Sequence, residues 1–139
     1  MTHSIEIRND NHFPDINSTQ LKKAILTVLR QQEKALDSGV TVVFTDDESV
    51  RALNKQHRGT DAPTDVLSFP ADPLPPEIME ADDAPYLGDL IIAFSYTQAQ
   101  AKQLGHALSD TLVLLVIHGT LHLLGYDHDT QKKRAEMWS

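Results

Sequence analysis

The feature that most constrains this chain lies at residues 112–124, where LVLLVIHGTLHLL forms its longest apolar run. A membrane-spanning helix needs about 20 such residues, so this run reads instead as a core helix, with Leu112, Leu115 and Val116 facing inward. The run nevertheless holds His118 and His122. Four residues apart, they share one helical face, one turn above the other. That face must look into a cleft. Gly125 then lets the helix stop and the chain turn back, and His128 follows three residues later, within reach of the same point. The frame is H-x3-H-x5-H. The plain alternative is three unrelated histidines, two of them packed in a core; the spacing, with a glycine in register, favours a shared metal ion. Three imidazoles with an open fourth position describe a catalytic zinc site, whereas structural zinc sites are closed and usually contain thiolate. This chain has no cysteine.

The chain has 139 residues, 40% of them hydrophobic and 23% charged. That is enough for one domain, residues 1–139, to bury its own core. Without cysteine, disulfides and thiolate metal sites are excluded, and secretion gets no support. The opening MTHSIEIRND lacks the basic and apolar pattern of a signal peptide. A soluble cytoplasmic protein with no membrane partner is expected. Net charge is −8, which opposes broad binding to nucleic acid, since that depends on neutralised phosphates. Five of the acids, Asp72, Glu77, Glu80, Asp82 and Asp83, fall in a window from 70 to 85 that has no Lys or Arg. Outside it the balance is milder, so a local basic face remains open. If this domain binds RNA unaided, Lys22, Lys23, Lys55 and Arg58 should gather around the histidine cleft.

Ile5 to Ile7 reads as a short strand. Asn17 or Ser18 can cap a first helix whose buried stripe is Leu21, Ala24, Ile25, Val28 and Leu29. Gly39 ends that unit, and Val40 to Phe44 is the clearest strand. The box Thr45-Asp-Asp-Glu48 opens a second helix, with Val50, Leu53 and His57 inward. A loop containing Gly59 and Pro63 leads to a strand from Val66 to Phe69 that Pro70 ends. Residues 70–85 hold five of the seven prolines and read as an excursion between strands. Leu87 to Phe94 resumes as a buried strand. Ser95 to Gln98 is another capping box, for a helix closing at Gly105. Ser109 should cap the histidine helix, and Asp129 to Trp138 should form a brief final one. The expectation is an α+β domain, one mixed sheet of about four strands packed with helices, its metal site on the C-terminal helix and the following turn.

Zinc lowers the pKa of a coordinated water towards ~7 and polarises carbonyl or phosphoryl oxygens, so the reaction class is hydrolysis. The frame H-x3-H-x2-G-x2-H is similar to that of the metzincin proteases, where a glutamate after the first histidine acts as base. Here that position is Gly119, which argues against a peptidase. Asp127, Asp129, Asp65 and Asp89 are substitute bases, or else turn residues and partners that orient an imidazole. Arg58, at a helix end beside a loop, reads either as a surface arginine or as a holder of an oxyanion.

The eleven residues HGTLHLLGYDH, 118–128, resemble the HGxLHLxGYDH signature of the YbeY endoribonucleases. RGTDAPTDVLSFP, residues 58–70, resembles that family's R-x2-D-x2-TDVLSFP block, and Leu87-Gly-Asp89 its LGDI strand. Element order also agrees, so the resemblance covers nearly the whole chain; only the tail, ending at Ser139, looks shorter than in many members. It implies a single-strand-specific, metal-dependent endoribonuclease acting in rRNA processing, at the 3′ end of 16S rRNA, and in ribosome quality control. It implies one Zn2+ per chain on His118, His122 and His128, a catalytic role for Arg58 at the scissile phosphate, and single-stranded RNA and the ribosome or its proteins as partners. Zinc hydroxide and the substrate's 2′-hydroxyl both stand as nucleophile. A second reading is a ribosome-associated assembly factor whose metal is mainly structural; a metallopeptidase-like hydrolase is a third.

Overall fold

The computed structural model describes residues 5–32, 38–71 and 86–125. In chain order these form β1 (Ile5–Arg8), α1 (Ser18–Gln31), β2 (Gly39–Thr45), α2 (Asp47–Arg58), β3 (Val66–Pro70), β4 (Tyr86–Ala93), α3 (Phe94–Leu104) and α4 (Leu108–Leu123). The strands make one sheet in the order β1-β2-β4-β3. β1 and β4 run parallel to β2, and β3 runs antiparallel to β4. The mixed four-stranded α+β domain is as expected. The proline-rich stretch from 72 to 85 and the final helix expected at 129–138 lie outside the described residues. Among the described residues no single helix is long and apolar enough to cross a membrane.

Because side chains alternate along a strand, each strand serves two layers. Val40, Val42 and Phe44 of β2 and Leu90 and Ile92 of β4 join Leu21, Ile25 and Leu29 of α1 and Leu112, Leu115 and Val116 of α4 in the main core. The other face of β3 and β4 carries Leu67 and Ala93, which pack with Val50 of α2 beside Leu53, Phe69, Ile91 and Tyr96. Burying one such aliphatic side chain contributes about 1.5–3 kcal/mol. The sheet is therefore covered by α1 and α4 on one face, and by α2 over its β3–β4 side on the other.

Several helix ends differ from expectation, each for a local reason. Asn17 caps α1, its Oδ1 accepting from the Gln20 amide at 3.0 Å. α2 is capped by Asp46, not Thr45: β2 extends through Thr45, so the next residue turns and accepts from the Ser49 amide at 2.7 Å. That bond holds the Asp46 carboxyl below its usual range. Neither Ser95 nor Ser109 caps a helix. β4 runs straight into α3 at Phe94, and the cap residue Ala93 has no side-chain acceptor. Asp47 of α2 instead accepts from the Tyr96 amide at 2.9 Å, so one helix satisfies an orphan donor of another. α4 begins at Leu108 after Ala107, again without a side-chain cap. His57, expected inward, is exposed and packs edge-on to Phe69 with ring centroids 5.0 Å apart. The buried polar residue of α2 is Asn54, whose Nδ2 donates to the Ala62 carbonyl at 2.9 Å.

Two substitutions test this packing. Gly88 has φ 142°, and a Cβ there would lie 2.3 Å from the Phe69 carbonyl oxygen and 2.8 Å from Leu123 Cδ2. Gly88→Ala should lower stability by about 3 kcal/mol or more, read as a shift in urea midpoint. Gly105→Ala, at φ 72° with nothing within 4 Å, should lower it by only about 1–2 kcal/mol. Asn54→Ala strands the Ala62 carbonyl and should lose about 1–3 kcal/mol. Amide exchange in residues 60–65 should then quicken before the sheet opens.

Candidate functional site

α4 is apolar almost all round, as a helix packed between layers must be. Leu112, Leu115, Val116, Gly119, Thr120 and Leu123 are buried. His118 and His122 are half-buried, and their ring centroids stand 6.3 Å apart. α4 packs on α1, β3, α3 and β4, and it meets β4 at Gly119. A Cβ on Gly119 would meet Leu90 Cδ2 at 2.7 Å and Cδ1 at 2.9 Å. Position 119 therefore points into the sheet while 118 and 122 lie to one side of that contact, towards β3, so no glutamate fits where a metzincin carries its base. The helix closes at Leu124, whose amide reaches the Thr120 carbonyl at 3.1 Å, and the Gly125 amide reaches that of His122 at 3.0 Å. Gly125 then takes φ 106°, the turning conformation expected of it.

His118, His122, Leu115, Arg58, Asp65, Val66 and Ser68 line one cleft of about 180 Å³. The histidines come from α4, on one face of the sheet. Arg58 comes from the end of α2, on the other. A cleft that contains both passes over the edge of β3, the outermost strand. Arg58 is delivered by the closure of α2. Gly59 takes a left-handed φ of 72°, and the Thr60 amide reaches back to the Asn54 carbonyl at 3.4 Å, a Schellman-type end. The loop is pinned to α2 by Arg51, 2.7 Å from Asp61, and Lys55, 3.9 Å from the same carboxylate. Asp61 raises the Arg51 pKa further, first by its hydrogen bond. Those two cations are thus engaged, while Arg58 makes no ion pair among the described residues.

The histidine pair fits a metal ion. Imidazole nitrogens are donors that suit zinc, and both rings line the same cleft; a tetrahedral ion would draw their centroids closer than the observed 6.3 Å. The third residue of the frame, His128, lies outside the described residues. Among those described, no group of three His, Asp or Glu side chains converges.

The sheet sorts the carboxylates proposed as bases. Asp65 lines the cleft, with its Oδ1 accepting from the Val66 amide at 2.8 Å. Asp89 does not belong there. It pairs with Phe69 across β4, on the face opposite Leu90, and accepts from the Tyr86 hydroxyl. Thr41 Oγ1 lies 2.8 Å from that hydroxyl, and burial, then the bond to Asp89, pushes the Tyr86 pKa up. Asp127 and Asp129 lie outside the described residues. The basic residues do not gather as direct RNA binding would require. Lys23 lines a separate groove between α1 and α4 with Val113 and Ile117, on the side of α4 away from the histidines, and Lys22 is its neighbour on α1. Ser68 and Leu115 were not singled out as cleft residues; the period-two pattern of β3 places Ser68 beside Val66, but only the strand order shows that this edge is open.

The sequence model of Endoribonuclease YbeY matches residues 5–139. Endoribonuclease YbeY of Roseiflexus castenholzii is 41% identical over 114 residues, 82% of this chain and 72% of that protein. Endoribonuclease YbeY of Shouchella clausii is 36% identical over 141 residues, 97% of this chain and 88% of that one. The solution structure of TM1509 from Thermotoga maritima matches with a TM-score of 0.55 at 26% identity, over 96% of this chain and 84% of that chain. With both the sequence match and the fold running nearly end to end, this chain belongs to the YbeY endoribonuclease family.

Proposed function

We propose that this chain is a zinc-dependent endoribonuclease that cleaves single-stranded RNA in the cytoplasm, in maturation of the 3′ end of 16S rRNA and in ribosome quality control. The observation that carries this reading is that His118 and His122 of α4 and Arg58 at the end of α2, from opposite faces of the sheet, line one cleft. The family's activity supports the reaction class. His118 and His122, with His128, would hold one zinc ion through a nitrogen each. When bound, zinc supplies Lewis-acid chemistry: it lowers the pKa of a coordinated water and draws charge from a phosphoryl oxygen.

The remaining work falls to the chain. Arg58 offers planar, paired N–H donors that match two oxygens of the scissile phosphate, and they gain most as negative charge builds there. Asp65, held by the Val66 amide through one oxygen, is the described carboxylate in the cleft that can take a proton from the nucleophile, whether water or the substrate's 2′-hydroxyl. One cation gives little affinity for a polyanion. The charge distribution therefore favours the ribosome or its proteins as partners that present the RNA, with this domain supplying the cut.

The test is cleavage of a labelled single-stranded RNA. Chelation and His118→Ala should each abolish it, and returning zinc should restore the chelated wild type. Arg58→Ala should stay folded and lose on the order of 10²- to 10³-fold in kcat/KM. Zinc should also raise the melting temperature of wild type more than that of His118→Ala. Equal cleavage by wild type and His118→Ala would expose a contaminating nuclease and leave an assembly factor with a structural metal.

A further inference from the structure

A cleft that prefers single-stranded RNA must engage something a duplex has already used. β3 presents such a feature. Its pairing phase is set at both ends: the Ala93 amide donates to the Asp65 carbonyl at 2.9 Å, and the Ala71 amide to that of Leu87 at 3.0 Å. With Leu67 opposite Ile91 and Phe69 opposite Asp89, residues 65, 67, 69 and 71 turn their backbone groups towards β4. Val66, Ser68 and Pro70 turn theirs outward, because alternate residues of an antiparallel edge strand point away from the ladder. Pro70 has no N–H to offer. The Val66 amide is taken by Asp65 Oδ1 at 2.8 Å. Of the outward groups that remain, the Ser68 amide is the one donor, and it stands beside the Val66 carbonyl, an acceptor next to a donor. Among the described residues neither has a partner, and the Ser68 and Pro70 carbonyls add further acceptors.

We propose that this free edge is the base-holding ledge of the cleft, with the Val66 carbonyl and Ser68 amide bonding the Watson–Crick edge of a nucleotide next to the scissile phosphate. The inference rests on the endoribonuclease reading and deepens it. Two observations place the ledge in the site. Val66 and Ser68 themselves line the cleft, and a cleft holding both Arg58 and the histidines has to cross the β3 edge. The chemistry is complementary: each base shows an adjacent donor and acceptor on that edge, an amine beside a ring nitrogen or an imino N–H beside a carbonyl. An unstacked base offers these groups freely; in a duplex they face the opposite strand. Selection for single strands then needs no extra basic surface, which agrees with an acidic chain whose cleft holds one cation, Arg58, among the described residues.

Proline removes the Ser68 donor without touching the ladder, since an edge strand tolerates proline where its N–H would face outward and Pro70 already sits in that phase. Ser68→Ala keeps the amide and loses only the hydroxyl. On a labelled A-rich single strand, Ser68→Pro should fall about tenfold below Ser68→Ala in kcat/KM, the loss of one of two paired bonds. In the second arm, wild type acts on the same RNA with N6,N6-dimethyladenosine, which keeps charge and π-face but has no amine proton. It should be cut about tenfold more slowly. Equal rates for the two variants, or equal cutting of the two RNAs, would overturn the ledge. If circular dichroism shows Ser68→Pro unfolded, the modified RNA decides alone. Failure of wild type to cut either RNA is a different result: it sinks the endoribonuclease reading itself.

Discussion

Everything at this site depends on how closely α4 lies against β4. Two glycines allow it: Gly119 seats the helix on Leu90, and Gly88 leaves room under Leu123 for its last turn. Interiors are packed to crystal density, so a methyl at either point has nowhere to go without displacing backbone or a fully buried leucine. The consequence is rotational. Once the 119 face is pressed into the sheet, the helical repeat obliges 118 and 122 to lie to one side of the contact, over the gap between α4 and the outer strand. The apolar residues that bury this helix and the histidines that line the cleft are thus one pattern. Neither can shift register without the other.

Much of this was legible beforehand, and the boundary between what was and was not is physical. Periodicity located α1, β2, β4 and α4, because Leu21, Ile25, Val28 and Leu29, or Val40, Val42 and Phe44, repeat at the spacing their elements require. Caps were read less well. A Ser or Thr before an apolar run marks a cap only when the helix starts after it. At Ser95 the helix had already begun, β4 passing straight into α3 at Phe94, and the Tyr96 amide found its acceptor in Asp47, 49 residues away. No local pattern carries such a bond. The histidine pair was legible because both residues share one helix. Asp65 and Asp89 looked equivalent in sequence and are not: Asp65 stands just before β3, where the cleft opens, whereas Asp89 lies further along the sheet opposite Phe69.

Charge tells a similar story at longer range. The chain is acidic, yet the cations near the cleft are not interchangeable. Arg51 and Lys55 spend their charge on Asp61, fixing the loop from which Arg58 and Asp65 are presented. Such exposed pairs add little stability singly, ~0–1 kcal/mol. Here they take up Asp61, and Arg58 makes no ion pair among the described residues. Lys23 sits beyond α4, and the groove it lines is apolar.

The position of Gly119 also constrains how this scaffold can move protons. In a helix that carries both metal-binding histidines, the residue after the first lies about 100° around the axis, and it can act as base only if that direction opens on substrate. Here it opens on Leu90, because the sheet lies on that side. The shortage of a base at 119 is therefore a result of packing, and restoring a glutamate would break the helix–sheet contact before it could create an acid–base pair. The proton acceptor has to come from another wall of the cleft. Among the described residues that wall is β3, with Asp65 immediately before its first residue and bonded to the Val66 amide. On the proposed reading the helix would hold the metal ligands and the edge strand would supply the acid–base group and the contacts to substrate, a division of labour that follows from which face of α4 the sheet occupies.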